Sequence, residues 1–262
     1  MQLLRSLLKQ ISYESVRGDD DRKITDICCH SEKVKEGSLF VCINGYRNNG
    51  HEYVTQAVER GAAVLVVDDR YVIESRSGPV ILTEHMKVNV YELIRDRNIC
   101  VVTVRDTRKA LSALSAAFFD HPAERMKMIG ITGTNGKTTT AFLTAGILQE
   151  AGYRVGMIGT IESYDGRRRE TVKNTTPESC EIHRLLSRMV ENECDCCVME
   201  VSSQGIALQR TADVFFDIGV FLNIEPDHIG KGEHATFSEY LYCKSRLMRQ
   251  CGIGIVNQDD PN

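Results

Sequence analysis

The chain has 262 residues, of which 42% are hydrophobic and 26% charged, which is normal for a folded globular protein with a sizeable interior. Its formal net charge of −4 argues against a nucleic-acid-binding surface, because such surfaces are usually basic. No apolar run approaches the roughly 20 residues of a membrane-spanning helix. The leucines at positions 3, 4, 7 and 8 fit one face of a packing helix rather than a signal peptide. We therefore expect a cytoplasmic protein with no nucleic-acid partner and no membrane insertion.

The ten cysteines would suit a disulfide framework in a small secreted chain, but this chain is neither small nor visibly secreted. Cys194 and Cys197 have the spacing of a pair of zinc ligands, yet a zinc site of this kind needs a second such pair, and the sequence has none. The segment around them also has the pattern of a buried strand. We interpret both cysteines as core residues.

Apolar strand-like runs alternate with helical patterns, which indicates an α/β protein with a mostly parallel sheet. In the first part of the chain, the pattern predicts strands at 39–43 and 62–67, with a helix at 52–61 between them that Gly61 closes. A further strand ends near Val104, and a helix at 108–119 stops before Pro122. We place the boundary between two domains after this strand, which gives domains 1–104 and 105–262.

The second domain begins with a strand at 127–132, a glycine-rich turn and a helix that starts at Lys137. The pattern then predicts strands at 154–161, 196–202, 215–223 and 252–257, and helices at 181–193 and 236–250. The alternation again indicates a mostly parallel sheet with helices packed on it.

The segment 129–140, IGITGTNGKTTT, lacks the first glycine of the common phosphate-binding loop G-x-x-x-x-G-K-[ST], because Ile131 stands there. The strand-turn-helix context still predicts a phosphate site, since the first N–H groups of a helix have no intrahelical partners and the helix dipole favours an anion. Lys137 would contact the phosphates and Thr138 would hold Mg²⁺. We expect nucleotide contacts from the whole loop, which comprises Gly133, Thr134, Asn135, Gly136, Lys137, Thr138 and Thr139.

The loop GTNGKTT resembles the compact ATP loop of the Mur ligase family, whose members join amino acids to a UDP-muramoyl precursor of peptidoglycan. Further segments follow in the family's order: NTTPES at 174–179, MEVSSQGIALQR at 199–210, NIEPDHIGKGEH at 223–234 and YLYCKSRLM at 240–248. The set is most similar to the MurE type, the UDP-N-acetylmuramoyl-tripeptide synthetase, and 30–67 is similar to that type's UDP-binding domain. The resemblance implies a small amino-terminal UDP-binding α/β domain followed by a P-loop ATPase domain with a mostly parallel sheet.

The resemblance implies an ATP-dependent amide ligase of cell-wall synthesis that uses Mg²⁺. Its substrates would be UDP-N-acetylmuramoyl-L-alanyl-D-glutamate and an amino acid, with an acyl phosphate as the intermediate. It implies catalytic roles for Lys137, Glu200, His228 and Lys244, and a metal site formed by Thr138, Glu200, His228 and Lys244. Lys244 matches a lysine that the family carries as a carbamate, which replaces a cation with an anion. The residues implied for substrate binding are Ser31, Thr175, Thr176, Ser202 and Arg210.

The sequence departs from the family pattern at several positions. His30-Ser31-Glu32 stands where the family usually has Asp-Ser-Arg, and Gln204 and Leu208 replace its usual histidine and glutamine. Because Glu32 replaces a cation near a diphosphate-bearing ligand, the resemblance supports UDP binding less strongly than ATP binding. These departures indicate a divergent MurE-like member.

The chain ends in a predicted strand and a turn, GIGIVNQDDPN, whereas family members continue into a third domain. We therefore expect the third domain to be absent, with a partner chain as one source of it. In the family that domain contains the pocket for the incoming amino acid, so the sequence does not separate lysine from diaminopimelate.

Two other interpretations stay open. A ligase of the folylpolyglutamate synthetase kind shares the ATP loop, but that family starts directly at its ATPase domain, and the segment 36–53 argues against it. The other is a non-catalytic nucleotide-binding fragment or scaffold partner.

Overall fold

The structure is a computed structural model that describes residues 1–45, 48–227, 229–230 and 233–262. The chain divides into two compact units, Met1–Phe118 and Phe119–Asn262. Each unit has its own sheet of mainly parallel strands, with helices between most of the successive parallel strands. The predicted α/β fold is therefore confirmed.

The helices and strands of the first unit follow in chain order. They are β1 (Gln2–Leu3), α1 (Leu4–Leu8), β2 (Ser15–Arg17), β3 (Lys23–Ile24), β4 (Asp26–Cys28), β5 (Ser38–Val41), α2 (Val54–Glu59), β6 (Ala62–Asp68), β7 (Val72–Ser75), β8 (Gly78–Leu82), β9 (Lys87–Asn89), α3 (Val90–Arg97), β10 (Cys100–Val104) and α4 (Thr107–Phe118). Short 3₁₀ turns lie at Ser31–Lys33, Gly50–Tyr53 and Asp69–Tyr71.

A five-stranded sheet with the order β2-β10-β6-β5-β4 forms the centre of the first unit. Strands β10, β6, β5 and β4 run parallel, and β2 joins the edge antiparallel to β10. β10 is buried at every position and β6 at all but one, which explains why both strands are apolar apart from Thr103 and Asp68. The sequence analysis did not predict β7, β8 and β9, which form a separate antiparallel sheet.

The amino-terminal helix is shorter than the leucine pattern predicts. Leu3 belongs to β1, which pairs with β3, and the helix begins at Leu4. Leu4, Leu7 and Leu8 are buried, as a packing face requires. Only the three leucines on α1 therefore belong to the helical face.

Helix α4 belongs to the first unit. It packs against α1, β4 and β6, and buries Ala110, Leu111 and Leu114 on its inner face. The compact unit consequently ends at Phe118, after α4, whereas the domain boundary predicted at residue 104 lies before it.

The second unit contains the glycine loop. Its elements are β11 (Lys127–Thr132), α5 (Lys137–Glu150), β12 (Val155–Ile158), β13 (Ser163–Tyr164), β14 (Arg169–Glu170), α6 (Ser179–Glu191), β15 (Cys196–Glu200), α7 (Ser203–Ala207), β16 (Phe216–Phe221), α8 (Phe237–Arg249) and β17 (Cys251–Val256). A 3₁₀ turn at Pro122–Arg125 precedes them.

A seven-stranded sheet with the order β14-β13-β12-β15-β11-β16-β17 forms the centre of the second unit. Strands β12, β15, β11, β16 and β17 are parallel, so their carboxyl ends meet at one edge. Ile129 and Ile131 pack towards α5 on one face, whereas Met128 and Phe216 pack towards α6 and α8 on the other. Ligand sites of open parallel sheets lie outside the carboxyl ends of the strands, which directs attention to the residues after β11, β12, β15 and β16.

The cysteines are free thiols, and all except the half-buried Cys251 are buried. Cys194 and Cys197 lie in the hydrophobic core of the second unit, which confirms their interpretation as core residues. Burial raises the pKa of both thiols, which disfavours the thiolate form that binds metals.

No helix in the described part of the chain combines the length and apolar character needed to cross a membrane.

The buried imidazole of His183 gives a test of the folded core. His183 lies on α6 with an exposed fraction of 0%, and neither ring nitrogen has a hydrogen-bond partner among the residues the structure describes. Burial, followed by the charge of His121, lowers its pKa from 6.5 to about 4. Between pH 6.5 and 4, His183 therefore takes up a proton in the unfolded chain but stays neutral in the folded protein.

We expect the free energy of unfolding to decrease as the pH falls from 6.5 towards 4, with His183 contributing at most about 3 kcal/mol of the decrease. Urea unfolding at both ends of this range measures the change. His183→Leu should reduce the decrease, and His30→Gln, at an exposed position, should leave it unchanged. An equal decrease in wild type and His183→Leu would contradict this account.

Candidate active site

The glycine loop connects β11 to α5 at the carboxyl edge of the second sheet. Gly136 caps α5 with a φ of 83°, a left-handed conformation that glycine adopts without steric strain. Within the described residues, no group accepts a hydrogen bond from the N–H of Gly136, Lys137 or Thr138. These three donors lie at the positive end of the helix dipole, which is the arrangement that binds an anion.

The loop is held by residues from distant parts of the sequence. The Thr134 hydroxyl accepts a hydrogen bond from the N–H of Glu225 at 3.0 Å and lies 3.1 Å from the Tyr240 hydroxyl on α8. The N–H of Thr134 donates to the carbonyl of Asn223 at 3.1 Å. The segment after β16 and the buried face of α8 therefore fix the loop from two sides.

Two lysine side chains converge on one carbonyl of this loop. Lys137 Nζ donates to the carbonyl oxygens of Gly133 and Thr134 at 2.7 and 3.0 Å, and Lys244 Nζ donates to the same Gly133 oxygen at 2.7 Å. Lys244 is 1% exposed, and its Nζ also lies 4.7 Å from the centre of the Tyr240 ring. The structure thus places both predicted lysines at the glycine loop.

The environment disfavours the charged form of both amines. Burial, followed by the charge of Lys137, lowers the pKa of Lys244 to about 7. Burial also lowers the pKa of Lys137, although the charges of Glu200 and Asp227 oppose that shift. Lys244 therefore has a substantial neutral fraction near neutral pH, and the neutral amine is the nucleophilic form.

Glu200 ends β15 beside the start of α5 and is 1% exposed. Its Oε2 accepts hydrogen bonds from the hydroxyls of Thr138 at 2.8 Å and Thr160 at 3.0 Å. Its Oε1 accepts from the N–H of Thr160 at 2.9 Å. The three donors stabilise a carboxylate in a buried place, and the structure brings the predicted pair Thr138 and Glu200 into direct contact.

Gly159 and Thr160, which follow β12, are site residues that the sequence analysis missed. An added Cβ at Gly159 would lie 2.3 Å from Glu200 Oε1, so only glycine leaves room for the carboxylate. The available signal was a Gly-Thr pair directly after a buried strand, at the edge where the neighbouring strand ends in Glu200. That signal requires the strand order, which the sequence alone does not give.

The residues present fit a magnesium ion. Thr138 and Glu200 supply a hydroxyl and a carboxylate oxygen, and Mg²⁺ in nucleotide sites is held by one or two carboxylates together with phosphate oxygens. The amine of Lys244 faces the Gly133 carbonyl as a donor, so only a chemically modified side chain would be a metal ligand. His228, the fourth predicted ligand, lies outside the described residues.

The predicted substrate-binding residues of the second unit adjoin Glu200. Thr175 Oγ1 lies within hydrogen-bond distance of Thr160 Oγ1, at 3.0 Å. Thr176 is buried, donates to the carbonyl of Glu200 at 3.0 Å and accepts from the N–H of Ser202 at 2.9 Å. Ser202 in turn caps α7 by accepting from the N–H of Gly205 at 3.1 Å. The hydroxyls of Thr176 and Ser202 therefore hold the backbone that follows β15.

Arg210 makes internal contacts. Its Nε and Nη2 lie 3.0 and 2.8 Å from Glu178 Oε1, and its Nη1 donates to the carbonyl of Thr176 at 2.9 Å. The Arg210 side chain is 12% exposed. Glu178 is a further residue that the sequence analysis missed. Together the pair anchors the turn that carries Thr175 and Thr176.

Ser31, the predicted contact for the UDP moiety, belongs to the first unit. It begins the 3₁₀ turn after β4, is buried, and donates from its hydroxyl to Gln56 Oε1 at 2.5 Å. Thr139, the last predicted loop contact, is exposed on the first turn of α5.

The sequence was compared with known protein families and proteins, and it matches one family along most of its length. The sequence matches the Mur ligase middle domain over residues 131–262 and the catalytic domain of the Mur ligase family over residues 23–119. The UDP-N-acetylmuramoyl-L-alanyl-D-glutamate–2,6-diaminopimelate ligase of Clostridium perfringens is 38% identical over 259 residues, which cover 99% of this chain and 49% of that protein. The chain thus spans about half the length of the curated relatives it matches.

Two solved structures share the fold. A UDP-N-acetylmuramoyl-L-alanyl-D-glutamate–2,6-diaminopimelate ligase aligns with a TM-score of 0.72 and 18% identity over 99% of this chain and 48% of that one. The MurF ligase from Thermotoga maritima in complex with ADP aligns with a TM-score of 0.54 and 21% identity, over 90% of this chain and 46% of that one. At these identities the likeness establishes the fold alone.

The contact between Gly159 and Glu200 gives a specific test of the site. Gly159→Ala should displace the carboxylate, because its Cβ would overlap Oε1, and should weaken binding of a magnesium nucleotide. Gly146→Ala on α5, whose added Cβ meets nothing within 4 Å, is the matched control and should bind as wild type does. Titration calorimetry measures both affinities. Unchanged affinity in a folded Gly159→Ala variant would show that Glu200 does not support the nucleotide.

Proposed function

The chain belongs to the Mur ligase family, and we propose that it acts as an ATP-dependent carbon–nitrogen ligase that adds diaminopimelate to UDP-N-acetylmuramoyl-L-alanyl-D-glutamate in peptidoglycan synthesis. The observation that carries this proposal is the contact of Thr138 with the buried carboxylate of Glu200, directly beside the free N–H groups at the start of α5. The choice of diaminopimelate follows the names of the similar proteins.

Amide formation requires that a carboxylate first receives a good leaving group. In the proposed reaction, a carboxylate oxygen of the UDP-linked peptide attacks the γ-phosphorus of ATP, and ADP leaves. The amine nitrogen of diaminopimelate then attacks the acyl carbon, phosphate leaves, and the nitrogen loses a proton. Such phosphoryl transfer depends on positioning and on electrostatic stabilisation rather than on protein covalent chemistry.

The glycine loop performs the first part of this task. The N–H groups of Gly136, Lys137 and Thr138 bind phosphate oxygens with the support of the α5 dipole. Lys137, whose ammonium lies over the loop carbonyls, adds a positive charge that contacts the phosphates. Contacts from Thr134, Asn135 and Thr139 complete the proposed nucleotide site.

Thr138 and Glu200 would hold Mg²⁺, together with His228 and a carbamate on Lys244. When bound, the metal neutralises charge on the phosphates and on the transferring phosphoryl group. The hydroxyl of Thr160 and its N–H donate to the Glu200 carboxylate and hold it in one orientation.

On the substrate side, Thr175 lies two hydrogen bonds from Glu200, through Thr160, which suits a group that contacts the reacting carboxylate. Thr176, Ser202 and Arg210, which are linked to one another by hydrogen bonds, are the other proposed substrate-binding residues of this unit. Ser31 of the first unit is the proposed contact for the UDP moiety.

Free thiols at every cysteine suit a reducing, cytoplasmic compartment.

The proposal predicts that the 262-residue chain binds Mg-ATP and that Lys137→Ala abolishes this binding without unfolding the protein. Lys127→Ala, which removes an exposed lysine paired with Asp217, is the matched control. Calorimetry measures binding, and ligation is assayed as phosphate release from ATP with UDP-muramoyl dipeptide and a panel of amino acids. Unchanged ATP affinity in folded Lys137→Ala would rule out the proposed nucleotide site, and phosphate release without dependence on the dipeptide would rule out the proposed substrate.

Lys244 gives an independent prediction. Its buried amine has a pKa of about 7, so the neutral form is available to attack carbon dioxide. Protein equilibrated with ¹³C-bicarbonate should show a carbamate resonance in its NMR spectrum. Lys244→Ala should lose that resonance and Lys127→Ala should retain it. A spectrum without a carbamate signal in the wild-type protein would leave Lys244 as an amine and remove it from the proposed metal site.

A further inference from the structure

The side chain of Asn223 makes two hydrogen bonds to the backbone of the glycine loop. Its Oδ1 accepts from the N–H of Asn135 at 2.9 Å, and its Nδ2 donates to the carbonyl of Asn135 at 3.1 Å. Asn223 is half-buried just after β16, and Asn135 is exposed. One amide group therefore holds both polar atoms of a single loop residue.

These bonds continue the pairing of β11 with β16 beyond the ends of both strands. The N–H of Leu222 donates to Thr132 at 3.0 Å, and the N–H of Thr134 donates to Asn223 at 3.1 Å. The next backbone pair would require the two chains to stay side by side, but the loop turns away at Gly136. The Asn223 amide takes the place of that missing pair.

The consequence is a division of the N–H groups in the loop. Thr134 and Asn135 donate to Asn223, whereas the N–H groups of Gly136, Lys137 and Thr138 have no acceptor among the described residues. If the Asn135 peptide rotated, the chain before Gly136 would change direction and the three free donors would no longer converge. The orientation of the donors thus depends on the Asn223 amide.

We propose that Asn223 is a positioning residue for nucleotide phosphates, which holds Asn135 so that the N–H groups of Gly136, Lys137 and Thr138 face one anion. The proposal rests on the proposed nucleotide site and adds to it a residue that contacts the loop rather than the ligand. Only an amide both accepts from an N–H and donates to a carbonyl in this arrangement. An aspartate of the same shape would accept from the N–H of Asn135 but would repel its carbonyl and the phosphates.

The experiment compares Asn223→Ala and Asn223→Asp with wild type. Asn192→Ala is the matched control, because Asn192 Nδ2 also donates to a backbone carbonyl, that of Asp165, at 2.8 Å. Calorimetry measures the dissociation constants of Mg-ATP and of inorganic tripolyphosphate, which presents the phosphates without the nucleoside. The unfolding midpoint of each variant is measured in parallel.

We expect Asn223→Ala to raise both dissociation constants about tenfold, which corresponds to about 1.4 kcal/mol. Asn223→Asp should weaken both ligands further, because its charge faces the phosphates, and Asn192→Ala should bind as wild type does. If Asn223 had a purely structural role, its substitution would lower the unfolding midpoint. The alanine and aspartate variants would then have the same affinity for the phosphate ligands.

The outcomes separate this inference from the proposed function. If wild type binds neither Mg-ATP nor tripolyphosphate, the proposed function fails and the inference fails with it. If wild type binds Mg-ATP and folded Asn223→Ala binds it equally well, the inference is wrong while the proposed function stands. If Asn223→Ala does not fold, the isosteric Asn223→Asp decides, and unchanged affinity for tripolyphosphate in that variant overturns the inference.

Discussion

The carbonyl oxygen of Gly133 accepts hydrogen bonds from the ammonium groups of Lys137 and Lys244, each at 2.7 Å. Two cations at one buried acceptor repel each other, and burial adds to the cost of charging them. Two effects reduce this cost. The pKa of Lys244 is lowered to about 7, so its amine is partly neutral near neutral pH, and the charges of Glu200 and Asp227 stabilise the ammonium of Lys137. The rest of the site is arranged around this balance of charge.

Because the acceptor is the backbone carbonyl of Gly133, the two lysines also hold the backbone of the glycine loop in place. Lys244 and Tyr240 are one turn apart on α8, so the same face of that helix contacts both Gly133 and the Thr134 hydroxyl. Asn223 holds the next residue, Asn135, through two hydrogen bonds to its backbone. Each loop residue before the α5 cap is therefore held by a partner from a later part of the chain, and the N–H groups that follow are left for a ligand. Such preorganisation lowers the cost of ordering the loop when an anion binds.

The parallel sheet brings these partners together. The carboxyl ends of β12, β15, β11 and β16 lie side by side, and each is followed by a site residue: Thr160, Ser202, Gly133 and Asn223. Glu200 is the last residue of β15 and lies between the loops after β11 and β12, where it accepts from Thr138 and Thr160. Its place depends on the absence of a side chain at Gly159. A small shift of the backbone after β12 would therefore displace Glu200, which is a proposed metal ligand.

The sequence by itself determined the parallel strands and the longer helices of the second unit and the position of the glycine loop, but not β13, β14 and α7. Buried parallel strands are nearly continuous apolar runs, and the loop has a local pattern of glycine, lysine and threonine, so both are visible without knowledge of the fold. It did not predict the small sheet of β7, β8 and β9, whose strands are short and mostly lack a continuous buried run. It also placed the domain boundary before α4, because packing of that helix against α1 has no local signal.

Only the tertiary structure decided which residues support the predicted ones. Gly159, Thr160 and Asn223 each follow a strand, but nothing in their spacing says which strands are neighbours. Arg210 illustrates the same limit, because its sequence position suits a ligand for an anionic substrate while its guanidinium is paired with Glu178. Strand order and side-chain pairing arise from contacts between residues far apart in the chain. A pattern read along the sequence identifies the groups that carry the chemistry, and the fold determines which groups hold them in place.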